Sequence, residues 1–599
     1  MPNQYYSSRN LSFLLFEMHN AASVCKLPYY QDHSRETMKM VLDMADQLAE
    51  KELWPYLTEM DRNQPEIENG QIKVHPAMKR IMELYGDGGW VSSHATFEEG
   101  GQQLPFVIGS AASFILGAAN YSASVYPFLS SGAANLIRHF GSKELQDRFV
   151  PKLFSAKWQG TMALTEPQAG SSLSDIITTA YPQADGSYKI KGQKIYISCG
   201  DHDAVENVVH LLLARIKGAP AGVKGISLFV VPQKREVNGK LESNDVQTAG
   251  VYHKMGYKGA PIAHLMFGEN DDCQGWLVGE EHRGLIYMFQ MMNEARIAVG
   301  MSAASIASAA YYASLQYANE RPQGRKPSNK DLTQAPVNII EHADIRRLLL
   351  FQKSVIEGSL SLLLYCSKLS DLHFAAIGEE KENAGLLLDF LTPIAKSYPS
   401  EMGCLTTSAA VQILGGAGYL QDFPVEQYYR EMRIHPIHEG TTAIHGMDLL
   451  GRKVRLKDGK ALELLMAEIT DCLKKAGGYS ELNEFVQQFQ ISLKDFQVVT
   501  RHLFKIAESE GPDEFLADAS LYLEFTGIMV IAWQWLAQAN VALAALPNVE
   551  YDTDKKFYKS KLHALEYFFE YELVKIEGLK KRLMSNSRVT TQILSNEIV

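Results

Sequence analysis

Apolar positions recur along this chain in two rhythms. From about residue 34 to 160 they fall three or four apart. Over residues 38–54 they are Val41, Leu42, Met44, Ala45, Leu48, Ala49 and Leu53, which predicts an amphipathic helix. Pro55 ends or kinks it. Gly86, Gly88 and Gly89 mark a turn, and helices are predicted around 105–140 and 143–155, the second with a cap in Ser142-Lys143-Glu144-Leu145. Near residue 160 the rhythm shortens. After the turn Ala184-Asp185-Gly186-Ser187, residues 188–198 alternate in places like a strand; 208–216 and 225–231 are apolar enough for buried strands, and 263–267 and 276–278 are shorter candidates.

From residue 284 to about 321 the helical rhythm returns, with a small-residue face of Ala298, Gly300, Ala303, Ala304, Ala307 and Ala310 suited to close packing. Helices are predicted over about 341–372 and 382–390. Thr392-Pro393 reads as a cap and first helical position of a helix running to Leu414, kinked at Pro399 and ended by Gly415-Gly416-Ala417-Gly418. Residues 451–599 are helical by pattern, punctuated by Gly477-Gly478 and Glu510-Gly511-Pro512. The expected fold is α+β and mostly α: a helical N-terminal domain (1–159), a middle β-barrel or sandwich domain (160–284), a four-helix bundle (285–450) and a C-terminal helical extension (451–599). A chain of 599 residues is too long for one core.

Composition changes this picture little. Hydrophobic residues make up 46% and charged residues 21%, ordinary for a globular chain. A net charge of −11 gives no support for nucleic-acid binding across the whole surface. The cysteines at 25, 199, 273, 366, 404 and 472 lie far apart without a CxxC pair, a pattern of reduced thiols in a cytosol. No secretory signal pattern opens the chain. The most membrane-like run, 527–546, contains Gln534, Gln538 and Asn540 and reads as a buried or interface helix.

Candidate chemistry centres on Arg433-Ile434-His435-Pro436-Ile437-His438-Glu439-Gly440-Thr441-Thr442-Ala443-Ile444. A carboxylate on the rim of an apolar pocket has its charged form disfavoured and can accept a proton near neutral pH. Gly440 lets the backbone approach a ligand, and Thr441-Thr442 can cap the helix that follows. The stretch Met162-Ala163-Leu164-Thr165-Glu166-Pro167-Gln168-Ala169-Gly170-Ser171-Ser172 suits a polar planar ligand or is a linker. Tyr196 and Ser198 share a strand face, as a stacking wall beside a hydroxyl or as an ordinary core tyrosine. Arg296 and Arg321 are phosphate ligands or helix-end charges. The glycines of Gln412-Ile413-Leu414-Gly415-Gly416-Ala417-Gly418-Tyr419 approach a phosphate or simply stop a helix.

In this order the pieces LTEPQAGSS, GQKIYIS, NEAR, ERPQGR, QILGGAGY and IHEGTT resemble the acyl-CoA dehydrogenase family over about residues 40–450. With the extension after 450, the chain looks like the longer bacterial branch that includes 3-methylthiopropanoyl-CoA dehydrogenase, which gives a branch and not a substrate. The resemblance implies FAD-dependent α,β-dehydrogenation of an acyl-CoA to the trans-2-enoyl-CoA. It makes Glu439 the base, with its backbone N–H polarising the thioester carbonyl. It places Met162, Leu164, Thr165, Ser171, Tyr196, Ser198, Arg321, Gln323, Gln412, Gly416, Thr441 and Ala443 on the flavin, and Ser171, Asn293, Arg296 and Gly440 on the acyl-CoA. Tyr196 and Ser198 stand where the family usually has tryptophan and threonine, and Ala443 lacks the polar side chain many members carry there. Where some members hold their base one residue before the NEAR arginine, this chain has Ala295; Glu294 points about 100° away on a helix.

The implied partners are an electron-transfer flavoprotein and further copies of the chain, as a homodimer or homotetramer. His435, His438 and His445 do not match HExxH, and no metal is expected; His438 is a candidate for tuning the base. An acyl-CoA oxidase is the alternative enzyme. A flavin-containing nucleic-acid binder is a different class, prompted by the lysines and arginines between 555 and 588, which are interleaved with acids as on a solvated helix face. Trp533 and Trp535 suggest that the extension packs on the chain's own bundle or on a second subunit.

Overall fold

The computed structural model describes residues 5–328, 331 and 333–598, except the side chains of 289–293. The protein is mostly helical, with a sheet-containing middle domain between helical N- and C-terminal domains. It divides into two compact units, one of Lys39–Leu104 and Ile115–Ala295, the other of Met1–Met38, Pro105–Phe114 and Arg296–Val599.

In the first unit the helix predicted to meet Pro55 is regular only to Leu48. It loosens into a π turn, Ala49–Leu53, and a 3-10 turn, Trp54–Tyr56, before Leu57–Arg62, because proline cannot donate to the helix ladder. The 105–140 segment is two helices, Phe106–Ala119 and Tyr121–Phe140. Asn120 separates them, its side chain accepting the Ala123 N–H at 3.1 Å. Ser142 caps Lys143–Phe154 through the Leu145 N–H at 3.3 Å, as its sequence predicts. A hairpin, Glu66–Glu68 with Gln71–Lys73, turns at Asn69-Gly70, both left-handed. That dipeptide is a strong hairpin signal passed over in the sequence reading.

The sheet of this unit has eight strands: β1 Trp158–Ala163, β2 Thr179–Pro182, β3 Tyr188–Ser198, β4 Asn207–Ile216, β5 Ile226–Pro232, β6 Val246–Val251, β7 Ile262–Phe267 and β8 Gln274–Leu277. Their order is β6-β7-β3-β8-β5-β4-β1, and β2 pairs with both β3 and β4. The circuit β3-β8-β5-β4-β2 therefore closes on itself as a small barrel, which removes its edges. Its interior holds Ile190, Leu212, Ala214, Phe229 and Val231. β4 and β5 are buried along nearly their whole length, so they read as continuous apolar runs; β1, β2 and β6 are short and lack such a run.

In the second unit the helix Gly378–Leu414 is continuous, with Pro393 and Pro399 inside it. This corrects the expected break at 390 and the cap at Thr392. The Thr392 hydroxyl instead donates back to the Leu388 carbonyl at 2.7 Å. Pro399 leaves the Ala395 carbonyl without its helical donor, and Gly300 lies so close to that oxygen that a Cβ there would sit 2.1 Å away.

The C-terminal helix Ala519–Ala545 packs on Ala343–Ala375 of the same chain. The Trp535 indole donates to the Ser354 carbonyl at 3.0 Å, and the Ser361 hydroxyl meets Gln534 at 2.6 Å. Lys561 reaches Glu357 at 2.6 Å and Gln538 at 3.0 Å. The tryptophans thus belong to the chain's own core. Two helices, Ala343–Ala375 and Ala519–Asn548, are long and apolar enough to cross a membrane by length and composition, and most of each is buried.

Candidate active site

The first unit carries an exposed aromatic ring near a polar loop. Strand β1 leads into residues 162–172, where Met162, Leu164 and Thr165 are half-buried and Ser171 is exposed. This segment adjoins β3, since the Ile195 N–H donates to the Thr165 carbonyl at 2.9 Å. Where β3 pairs with β7, Lys194 faces Leu265 and Ile197 faces Ala263, so Ile195 and Tyr196 together oppose one residue. Tyr196 occupies this bulge with φ 60°, a conformation few non-glycine residues adopt. The bulge turns the ring outward: Tyr196 is 60% exposed and touches Tyr252 at 4.9 Å. Ser198, half-buried, hydrogen-bonds Tyr257.

A fully buried ion pair, Lys194–Glu166 at 2.8 Å, lies under this surface. Lys194 also donates to the Leu164 carbonyl at 2.9 Å. Glu166 accepts from the Ile177 N–H at 2.7 Å, the Thr178 N–H at 3.1 Å and the Gln168 amide at 2.8 Å. Burial works against its charge, but Lys194 and these donors outweigh it and hold its pKa below the ordinary value. The pair fixes the shape of the 162–172 loop. Both residues lie inside the sequence motifs LTEPQAGSS and GQKIYIS, and nothing in their spacing marks them as a pair.

The second unit carries Glu439. Glu439 and Gly440 form a left-handed turn, φ 53° and 93°, ahead of the helix Thr442–Gly451. Thr441 stands at the N-cap position without a side-chain hydrogen bond there, which corrects the expected cap. Thr442 hydrogen-bonds Glu401 instead, and Ala443 is exposed. The Glu439 side chain is open to solvent, yet the protein crowded round it pushes its pKa up, with the charges of Arg296 and Lys396 pulling back. Arg296 is buried and paired with Asp448 at 3.2 Å, and its Nε has no protein partner. His445 Nε2 donates to the Glu439 carbonyl at 3.1 Å, and Lys396 Nζ to the Gly440 carbonyl at 2.8 Å.

His435 and His438 meet edge to face at 5.2 Å. Burial lowers His435 to about 4 and His438 well below the ordinary value, so both are neutral at pH 7. Among the described residues no group of three or more His, Cys, Asp or Glu is arranged to hold a metal ion. Asp448, Lys396 and His445 escaped the sequence reading as parts of this site. Lys396 carried a signal, as a lone charge in the apolar run Leu391-Thr392-Pro393-Ile394-Ala395-Lys396.

Arg321 ends the helix Gly284–Glu320, exposed, and Gln323 follows it, its N–H bound to the Val337 carbonyl at 2.8 Å. Tyr317, one turn earlier, packs edge-on against Phe423 at 5.5 Å. Gln412 and Gly416 are both exposed. Asn293 lies on the same helix, but its side chain is outside the described residues. Glu294 keeps solvent contact while burial pushes its carboxyl up to about 7.

An exposed aromatic ring beside a hydroxyl-rich loop in the first unit and, in the second, a carboxylate with a raised pKa among fixed cations are features that the class of flavin-dependent dehydrogenases uses. The chain matches four family models in order: acyl-CoA dehydrogenase N-terminal domain over 35–157, middle domain over 161–269, C-terminal domain over 282–454, and acetyl-CoA dehydrogenase C-terminal like over 465–593. It is 35% identical over 581 residues to 3-methylmercaptopropionyl-CoA dehydrogenase of Ruegeria pomeroyi, covering 96% of this chain and 97% of that protein. It is 32% identical over 608 residues to the broad-specificity linear acyl-CoA dehydrogenase FadE5 of Mycobacterium tuberculosis, covering 99% and 98%.

In fold it is similar to Caenorhabditis elegans ACDH-11 in complex with C11-CoA, with TM-score 0.75 and 18% identity over 94% of each chain. It is similar also to an acyl-CoA dehydrogenase complexed with FAD from Bacillus anthracis, with TM-score 0.74 and 21% identity over 96% of this chain and 92% of that one. The protein belongs to the acyl-CoA dehydrogenase family, FAD-dependent oxidoreductases acting on CH–CH bonds.

Proposed function

We propose that this protein oxidises an acyl-CoA to its trans-2-enoyl-CoA, with Glu439 as the base that removes the α-proton. The observation that carries the reading is Glu439 itself, a carboxylate in a left-handed turn with a raised pKa and two cations beside it. The protein crowded round it makes it a stronger base than a free glutamate, and the charges of Arg296 and Lys396 limit that rise. The backbone N–H of Glu439 is assigned to the thioester oxygen, where negative charge develops. Ser171, Asn293, Arg296 and Gly440 are assigned to the substrate.

The exposed ring of Tyr196 and the loop pinned by Glu166–Lys194 fit a flat, polar ring system. Met162, Leu164, Thr165, Ser171, Tyr196 and Ser198 would hold the flavin of FAD. Arg321, Gln323, Gln412 and Gly416 would bind its diphosphate and adenosine, and Thr441 and Ala443 would touch it from the acid loop. Bound FAD supplies the two-electron acceptor for the hydride leaving the β-carbon. An electron-transfer flavoprotein as the onward acceptor, and assembly of the chain with itself, are parts of the same reading. The extended likeness to the 3-methylmercaptopropionyl-CoA and linear acyl-CoA enzymes supports an acyl-CoA substrate without choosing its chain.

The test is anaerobic bleaching of bound flavin by a panel of acyl-CoAs, with Glu439→Gln alongside. Loss of a general base lowers the bleaching rate by about 10²–10⁴-fold. The acid limb of the native rate should lie above the ordinary glutamate value of about 4.3. An unimpaired Glu439→Gln variant removes the assignment. Admitting air afterwards separates the two enzyme readings, since rapid peroxide formation marks an oxidase.

A further inference from the structure

Glu439 and Gly440 are consecutive left-handed residues. Glycine adopts that conformation freely and glutamate does not. Such a turn persists only where its surroundings over-determine it. Here each of the two carbonyls is held by a side chain that is itself buried: His445 on Glu439 and Lys396 on Gly440.

Lys396 rises from the helix Gly378–Leu414 with 0% of its surface exposed. Lysine is almost never buried so completely unless its charge is answered. The carboxylates facing it are Glu439 and Glu401; Arg296 opposes it, and His435, His438 and His445 lie in its field. Other buried lysines of this unit join side chains of different segments, Lys561 to Glu357 and Lys453 to Asp389. Lys396 is spent on the backbone of the acid's own turn.

We propose that Lys396 is a positioning residue: its ammonium clamps the Gly440 carbonyl, keeps the turn left-handed and so aims the Glu439 carboxylate at the substrate α-carbon. That ammonium is also a cation facing the carboxylate. The inference rests on Glu439 as the base. A base must lie within hydrogen-bond reach of its proton, so a slackened turn lowers the rate of proton removal more than it weakens substrate binding.

The experiment uses full-length, FAD-loaded Lys396→Met, which keeps the stem and removes the ammonium. The expected bleaching rate at saturating acyl-CoA falls about ten- to hundredfold, while the half-saturating concentration moves less than about threefold. The second readout is the Glu439 carboxyl titration, followed by infrared difference spectroscopy with Glu439→Gln as the blank. It should move to higher pH in Lys396→Met, because a neighbouring cation is gone, and return in Lys396→Arg. Lys396→Gln keeps a donor without the charge and reads the same titration if the methionine variant does not fold. A folded variant whose Glu439 titration is unmoved overturns the proposal, whether or not its rate has fallen. The two readings fail separately: an active Glu439→Gln sinks the base, and an unmoved titration beside an inactive Glu439→Gln sinks Lys396 alone.

Discussion

At the scale of single residues, the site depends on charges kept where water is scarce. Lys194 and Glu166 are the plainest case, an ion pair whose side chains are 0% and 1% exposed. Such a pair is weak evidence for net stability, but removing one partner leaves the other charged and alone, at about 3–5 kcal/mol. Lys194→Met should therefore destabilise the first unit by roughly that amount and loosen the 162–172 loop. The measurable result is FAD lost on dialysis and a lower urea midpoint; a variant that keeps both native values contradicts this account of the loop. Tyr196 shows how a strained residue serves a surface. Its bulge costs backbone energy and in exchange exposes an aromatic ring that regular alternation along β3 would have placed differently.

At the scale of elements, the helix Thr442–Gly451 carries the acid loop, and its position is set by the C-terminal extension. Gly446 lies against the backbone of Ala519, where an added Cβ would sit 2.6 Å from the carbonyl oxygen. Leu449 and Leu450 are buried beside it. A Gly446→Val variant must push the two helices apart, and overpacking of this kind costs about 1–3 kcal/mol. Both Tm and kcat should fall together, since the helix that shifts begins next to Glu439. A lowered Tm with unchanged kcat would detach the loop from this packing. Gly300 plays the same part on another helix, where its missing side chain admits the Ala395 carbonyl freed by Pro399.

At the scale of the molecule, the extension is core rather than appendage. Trp535, Gln534 and Lys561 tie it to the helix Ala343–Ala375. Deleting 451–599 should leave that apolar face bare and yield insoluble protein; a soluble, flavin-loaded truncation would show that the rest of the chain needs no cover. Five basic residues of the run between 555 and 588 pair with acids: Lys561 with Glu357, Lys575 with Glu572, Lys580 with Asp495, Arg582 with Asp518 and Arg588 with Glu510.

Acid response is also a property of the whole. Burial holds His19, His202, His210 and His445 at about 3 and His435 at about 4. Their unfolded value is about 6.5, so between pH 6.5 and those values the unfolded chain binds more protons. Stability is full above 6.5 and falls as pH drops, each histidine contributing up to about 2 kcal/mol by pH 5. Asp371 and Glu294, each raised to about 7 by burial, work in the opposite sense and offset two of them. The urea midpoint should fall between pH 7 and pH 5; a flat midpoint would mean that these imidazoles are solvated.

The order of elements was legible from local spacing. Buried strands such as β4 and β5 show as apolar runs, the long helices show as three-and-four periodicity, and Glu439 stood out because glycine and threonines follow an acid in an apolar stretch. Motif order carried the family and, with it, the flavin. Tertiary structure alone decided the rest, because it depends on residues far apart in the chain. Lys396 reaches Gly440 across 44 positions and Lys194 reaches Glu166 across 28, and neither partner marks the other by spacing. A proline inside a helix reads locally as a break, yet the helix Gly378–Leu414 runs through two of them, with Gly300 leaving room for the Ala395 carbonyl that Pro399 frees. Spacing could name an acid; the buried charges of Arg296 and Lys396 that tune its pKa are brought to it only by folding.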